Sequence, residues 1–226
     1  MFGSMADFEV AVRRMALAFI PLALGIIVHE VAHGWMAWRK GDPTAAQEGR
    51  LTLNPLPHVD PMGLLAFVLT SLSGPFVFGW AKPVPVDYRN LRNPLKDMMI
   101  IAAAGPVSNM CLAVAFALAV KLMLWLFPPA AWHANQIWHF FSLMLPMGIT
   151  INCALAWLNL LPIPPLDGSK ILTGVLPYRF IGPYLRLERY GFMLLILLLM
   201  TGILGKILYP LIGLTLEAVV FIVGLS

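Results

Sequence analysis

The sequence predicts an all-α polytopic membrane protein of about five or six transmembrane helices, with a membrane-embedded extended or β-hairpin segment after the first helix. Composition is the first reason. Of 226 residues, 60% are hydrophobic and 12% charged, with a mean hydropathy of +0.82. Soluble globular domains carry about twice that charge, and a soluble fold of this size could not hide so much apolar surface. The second reason is that the apolar residues fall into long blocks, several of them near the ~20 residues a bilayer crossing needs. The third is that polar stretches rich in proline separate those blocks.

Each element follows from this pattern. A first helix runs from Arg14 to Lys40 and holds the apolar stretch Ile20 to Trp38. Gly41 to Pro61 is polar and proline-rich. A shorter apolar block, Met62 to Trp80, is interrupted by Ser73-Gly74-Pro75. Ala81 to Lys96 is polar again, and its start, Lys82-Pro83-Val84-Pro85-Val86-Asp87-Tyr88, alternates and holds prolines that forbid a helix interior. Met98 to Phe127 and Ile137 to Leu161 are two further helices. Pro162 to Arg189 reads as loop with a short amphipathic piece from Ser169 to Leu176. Tyr190 to Leu225 exceeds one simple span, and Gly202, Gly205, Lys206 and Pro210 divide it into a helical hairpin. No internal repeat or soluble module interrupts the pattern, so residues 1–226 form a single membrane domain.

Charge sets orientation. Lys82, Arg89, Arg92 and Lys96 precede the Met98–Phe127 helix, and Lys170, Arg179, Arg186 and Arg189 follow the Ile137–Leu161 helix. The turn between those helices, Pro128 to Gln136, has no Lys or Arg. By the positive-inside rule both basic segments lie inside. The net charge of +4 is modest, and no basic cluster is interleaved with stacking aromatics, which excludes nucleic acid as a partner class. Cys111 and Cys153 lie in apolar segments without a CxxC neighbour, so they read as packed thiols. The first apolar run is not a cleavable leader, because it carries the residues with chemistry.

Those residues are His29-Glu30-Val31-Ala32-His33. HExxH on a helix puts two imidazoles at i and i+4 on one face, the spacing for two-point zinc coordination, with the glutamate as candidate base. Ionisable groups in hydrocarbon cost on the order of a few kcal/mol unless paired or metal-bound, so the apolar setting makes this a functional site. Catalytic zinc takes three protein ligands and an open fourth position. Candidates for the third are Asp167, His58, Asp60, Glu188, Glu217 and His139. Asp167 stands out: Pro162, Pro164 and Pro165 end a helix ahead of it, and Gly168 allows a sharp turn beside it. Its alternative reading is a cap for the helix beginning near Ser169. His58 and Asp60, in Pro57-His58-Val59-Asp60-Pro61, orient a ligand or are turn residues at the membrane surface. His133 and His139, beside Trp132 and Trp138, read as interfacial aromatic-belt residues.

Three separated motifs make the chain resemble a known family. They are His29-Glu30-Val31-Ala32-His33-Gly34, Ala104-Gly105-Pro106-Val107-Ser108-Asn109 and Asn159-Leu160-Leu161-Pro162 leading into Leu166-Asp167-Gly168. In that order they resemble the site-2 proteases, which are intramembrane zinc metalloproteases. Gly49-Arg50-Leu51-Thr52-Leu53-Asn54-Pro55 and Lys82-Pro83-Val84-Pro85-Val86 resemble the compact subgroup lacking a PDZ domain. The match covers about residues 15–180 and leaves the C-terminal hairpin, 190–226, outside.

The resemblance implies a zinc endopeptidase that hydrolyses peptide bonds within or near transmembrane segments of other membrane proteins, as in regulated intramembrane proteolysis. It implies one Zn2+ per chain held by His29, His33 and Asp167, and Glu30 as general base then acid. Asn109 either hydrogen-bonds the substrate carbonyl or oxyanion, or holds an interhelical hydrogen bond. With the Asp167 end and His33 meeting inside, Met62–Trp80 has both flanks inside and becomes re-entrant or an embedded hairpin, the alternative being a full span. Gly49–Pro61 and Ala81–Tyr88 then offer an edge strand to an unwound substrate. The competing class is a metal-ion or proton transporter using the same polar residues as a relay, against which stands the lack of repeated halves. A third is a silent scaffold for single-pass partners. Partners are transmembrane substrates and the lipid bilayer, and the absence of organelle signals points to a prokaryotic plasma membrane.

Overall fold

The computed structural model describes residues 5–73 and 79–225. Gly74 and Pro75, expected to break the second apolar block, lie outside the described residues, as does the side chain of His133. Four helices are long and apolar enough to cross a membrane: α1 (Met5–Arg39), α4 (Pro94–Leu126), α6 (Gln136–Leu160) and α10 (Ile203–Val223). Shorter helices are α2 (Thr44–Gln47), α3 (Pro61–Ser73), α5 (Pro129–Ala134), α7 (Asp167–Val175), α8 (Tyr178–Leu185) and α9 (Glu188–Met200), with 3-10 turns at Leu56–His58 and Tyr88–Asn90. The protein is a multi-pass integral membrane protein.

The expected fold needs two corrections. Among the described residues four spans replace five or six, because two apolar blocks hold helices of 13 described residues. At 1.5 Å per residue each reaches roughly 20 Å, short of a ~30 Å hydrocarbon core. The second correction concerns the embedded β-hairpin: no strand is present among the described residues. Its apolar half, without period-2 alternation, folds as α3. Its polar half is extended without a partner strand: Pro83 and Pro85 leave one edge without amide hydrogens, and the Lys82 and Val84 amides are taken by the His58 carbonyl and the Glu30 carboxylate. The substrate edge strand expected there is likewise absent.

Termini of different helices fix their relative directions. The Lys40 ammonium lies 3.2 Å from the Asp97 carboxylate, joining the end of α1 to the start of α4. At the opposite end Arg13 lies 2.7 Å from His139 Nε2, which places the start of α1 beside the start of α6. Helices α1 and α6 are therefore parallel, with α4 antiparallel between them. The Lys121 ammonium donates to the Val223 carbonyl at 2.6 Å, so α10 ends where α4 ends. Arg13 thus sits with the uncharged 128–136 turn, and the HExxH end of α1 sits with the basic segments.

Ala113, Phe116, Ala117, Ile149 and Cys153 form the tight seam between α4 and α6, closed on one side by Val219 and Val223 of α10. Small residues let these backbones approach, the usual basis of helix association where lipid is as apolar as leucine. A Cβ on Gly148 would stand 2.6 Å from the Phe116 ring. Cys153 is buried in the seam as expected, whereas Cys111 is exposed and unpaired. Helix α3 lies against α1, and its two flanks meet: the Lys82 amide donates to the His58 carbonyl at 2.9 Å. Between α9 and α10, Gly202 takes φ of 71°, left-handed and suited to glycine, at the expected division.

Candidate metal centre

The helical period puts His29 and His33 one turn apart on the face of α1 that looks at α4 and α7, both side chains buried. Hydrogen-bond partners decide which ring nitrogen carries the hydrogen. His33 Nδ1 lies 2.7 Å from the Ile101 carbonyl, which can only accept, so Nδ1 is the donor. His29 Nδ1 lies 2.7 Å from Asn109 Oδ1. The amide orientation of Asn109 is set by its other end, where Nδ2 donates to the Gly25 carbonyl and to Asn152 Oδ1, each at 3.0 Å. Asn152 is oriented in turn by donating from Nδ2 to the Gly148 carbonyl at 2.9 Å. With both Nδ1 atoms donating, both Nε2 atoms are assigned as lone pairs.

Asp167 meets them from the first turn of α7. The α6 helix ends at Leu160, and Pro162, Pro164 and Pro165 carry the chain over to a new helix start at Asp167. Its Oδ2 stands 3.0 Å from His29 Nε2 and 3.1 Å from His33 Nε2, while the two Nε2 atoms are 2.9 Å apart. Gly168 makes this approach possible, though not through a turn conformation. A Cβ there would lie 2.2 Å from the Leu160 carbonyl oxygen and 2.4 Å from that of Leu161, so only hydrogen fits.

Two imine nitrogens and a carboxylate oxygen thus converge as three acceptors. Acceptors repel unless a cation or proton lies among them, and two imidazoles with one carboxylate is a donor set that suits a catalytic divalent metal. The residues fit a metal ion. Gly105 completes the cradle, because a Cβ on it would fall 2.5 Å from His29 Cε1 and from His33 Cε1 and Nε2. Next to it, Pro106 inside α4 removes the amide that would bond the Ala102 carbonyl, loosening the turn whose Ile101 carbonyl holds His33.

Glu30 is half-buried beside this cluster, and its Oε2 accepts from the Val84 amide at 2.7 Å. The segment that provides this amide is tied down along its length. The Arg50 guanidinium donates to the Lys82 carbonyl at 2.6 Å, and the Asp87 amide donates to Asp42 Oδ2 at 2.8 Å. Gly34 lets it lie close, since a Cβ there would meet Val84 Cγ1 at 2.9 Å. Asp42 has no exposed surface, and its other oxygen accepts from the Thr44 amide and hydroxyl and from Asn90 Nδ2. Burial opposes its charge, but these hydrogen bonds outweigh it and hold the carboxyl below the usual carboxylate range.

Of the sequence candidates, His29, His33 and Asp167 come together, Glu30 lies alongside and Asn109 stands behind His29. Glu188 and Glu217 are exposed, and His139 belongs to the far end of α1. Asp60 accepts from the Gly63 amide at 2.8 Å as the cap of α3. His58 ends the 3-10 turn, but its side chain is 1% exposed, so it is no surface residue. The sequence motifs include Gly105 and Arg50 without assigning them a role, and Gly25, Asn152 and Asp42 are not among the sequence candidates. Polar Asn152 in an apolar helix, and Gly105-Pro106 interrupting another, were the signals available.

Comparison with known proteins agrees with this geometry. The model of peptidase family M50 matches residues 123–202. YwhC of Bacillus subtilis is 34% identical over 200 residues, covering 88% of this chain and 87% of its own. Rip2 of Mycolicibacterium smegmatis is 32% identical over 84% of this chain and 68% of its own. MJ0611 of Methanocaldococcus jannaschii is 31% identical over 69% of each chain. Each of the three is named as a zinc metalloprotease. No solved structure matches the chain significantly. With that identity over nearly nine-tenths of both chains, and with the triad in place, the chain belongs to peptidase family M50.

Proposed function

We propose that this chain is an intramembrane zinc endopeptidase that cleaves peptide bonds within or near the transmembrane segments of other membrane proteins. The observation that carries the reading is the convergence of His29 Nε2, His33 Nε2 and Asp167 Oδ2, with both Nδ1 hydrogens committed elsewhere. These three residues hold one zinc ion per chain. Bound zinc supplies Lewis acidity, lowering the pKa of a water toward ~7 and polarising the scissile carbonyl.

The chain's own groups do the rest. Glu30, next in sequence to His29, takes the water's proton on its carboxylate and returns it to the leaving amine. The Val84 amide bonds Oε2, which orients the carboxylate and leaves Oε1 for the proton. Asn109 acts through His29: its Oδ1 fixes the imidazole in the tautomer that a metal needs. His29, His33 and Asp167 are all buried, and Pro162, Pro164 and Pro165 bring Asp167 in from a non-spanning segment.

Purified protein should contain close to one zinc per chain and cleave model transmembrane peptides. Glu30→Gln should keep the zinc and lose cleavage. Full cleavage by that variant would sink the role of Glu30, and active protein without zinc would sink the metal.

A further inference from the structure

A cavity of about 180 Å³ lies between α1 and α3. Its walls are apolar: Phe19, Leu22 and Ala23 of α1, and Leu64 and Phe67 of α3. An interior cavity of about 150 Å³ lined by such side chains admits benzene, so this one takes an aromatic ring or a large aliphatic side chain. Two relations tie it to the reacting centre. Ile26 and Ile27 also line it, one helical turn before Glu30 on α1. Ala81 lines it as well, and three residues on, Val84 bonds the Glu30 carboxylate. At ~3.3 Å per extended residue the cavity is within roughly 10 Å of the base, the reach of two or three residues of an unwound chain.

The wall holds one polar group without a function so far. His58 is 1% exposed, and its Nε2 is 2.9 Å from the Thr52 carbonyl, so Nε2 carries the hydrogen. That leaves Nδ1 a bare acceptor, buried and with no partner. Its burial leaves no room for a ligand donor at hydrogen-bond distance, so the ring serves as wall. The His58 carbonyl also accepts from the Lys82 amide, which couples the ring's position to the segment that holds Glu30.

We infer that this cavity is a specificity subsite. It takes a phenyl-sized apolar side chain of the unwound substrate, two or three residues from the scissile bond. The inference rests on the proteolytic reading proposed above. Occupancy by a lipid acyl chain is the rival, and it predicts no dependence on the substrate residue.

The test uses the full chain reconstituted in liposomes and a model transmembrane helix that the wild type cleaves. Alanine and phenylalanine are placed in turn at each position flanking the scissile bond. The wild type should prefer phenylalanine by ~10-fold or more in kcat/KM at one position two or three residues away. Ala23→Phe, which fills the cavity, should bring that ratio close to one. A flat alanine/phenylalanine profile in the wild type, or a preference that Ala23→Phe leaves unchanged, would overturn the subsite. Glu30→Gln is run in parallel: a wild type that cleaves none of the helices fails the proteolytic reading itself, whereas cleavage that Glu30→Gln abolishes, together with a flat wild-type profile, rejects the subsite alone.

Discussion

Asn109 Oδ1 stands 2.7 Å from His29 Nδ1, a contact between residues 80 apart in the chain. Its amide is fully used, with Nδ2 on the Gly25 carbonyl and on Asn152 Oδ1. Removing it leaves three buried polar atoms on two helices, α1 and α6, without that partner. Groups that orient a metal-bound histidine are worth about 10- to 100-fold in metal affinity or activity. Asn109→Ala should therefore weaken zinc binding by that order, read by competition against a chelator of known affinity. Unaltered zinc affinity would show that His29 does not need Asn109.

Gly105 has no side chain to act with, and that is its contribution. A methyl group there would overlap the facing edges of both imidazoles at 2.5 Å. Gly105→Ala should drop zinc content at least ~10-fold while the helical circular dichroism stays, because alanine is itself the better helix former by about 1 kcal/mol. Gly182→Ala is the control, since a Cβ at Gly182 meets nothing within 4 Å.

The bond from the Val84 amide to Glu30 is separable from the metal. Val84→Pro removes the N–H while keeping an extended residue between two prolines that are already extended. Hydrogen bonds to charged groups contribute about 1.5–3 kcal/mol. Turnover should fall by ~10- to 100-fold with zinc content unchanged, measured as kcat on a transmembrane peptide alongside metal analysis. Loss of zinc in this variant would mean that the segment supports the ligands and not the base.

Asp42 makes stability depend on acid. Its folded pKa lies below the ordinary 3.8, so the folded state favours the carboxylate. That contribution is present in full above the unfolded pKa and is lost as pH falls through the folded one. Thermal unfolding in detergent should show a drop in Tm below pH ~4. Asp42→Asn should unfold at lower temperature at neutral pH and lose part of this acid limb. An identical acid limb in the variant would assign it to other carboxylates.

Chelation gives the complementary result. Without a cation, three buried acceptors face one another within 3.1 Å. A ligand that binds only the folded state raises stability by RT ln(1 + [L]/Kd). Stripping zinc should lower Tm, and re-addition should restore it. A Tm indifferent to chelator would argue that the triad holds no structural share of the metal's binding energy.

Much of this protein was legible in its residues. Composition determined a polytopic membrane protein, and the lengths of apolar runs located α1, α4 and α6 to within a few residues at most boundaries. The α1 start is the exception, at Met5 where Arg14 was expected. The His29–His33 pair followed from helical spacing, and Asp167 and Gly168 from the company they keep. These are local properties, set by period, length and neighbouring prolines. What tertiary structure alone decided are the contacts between segments far apart. Met62–Trp80 contains a short helix in place of a hairpin, and Asn109 aims at His29 rather than into the cleft. Gly168 is required by two carbonyls seven and eight residues behind it, and His58 is buried within the fold. No local pattern encodes which backbone will come within van der Waals reach of which other. That choice belongs to the packing of α1, α4, α6 and α7, where a missing Cβ or an unshared lone pair acquires its meaning.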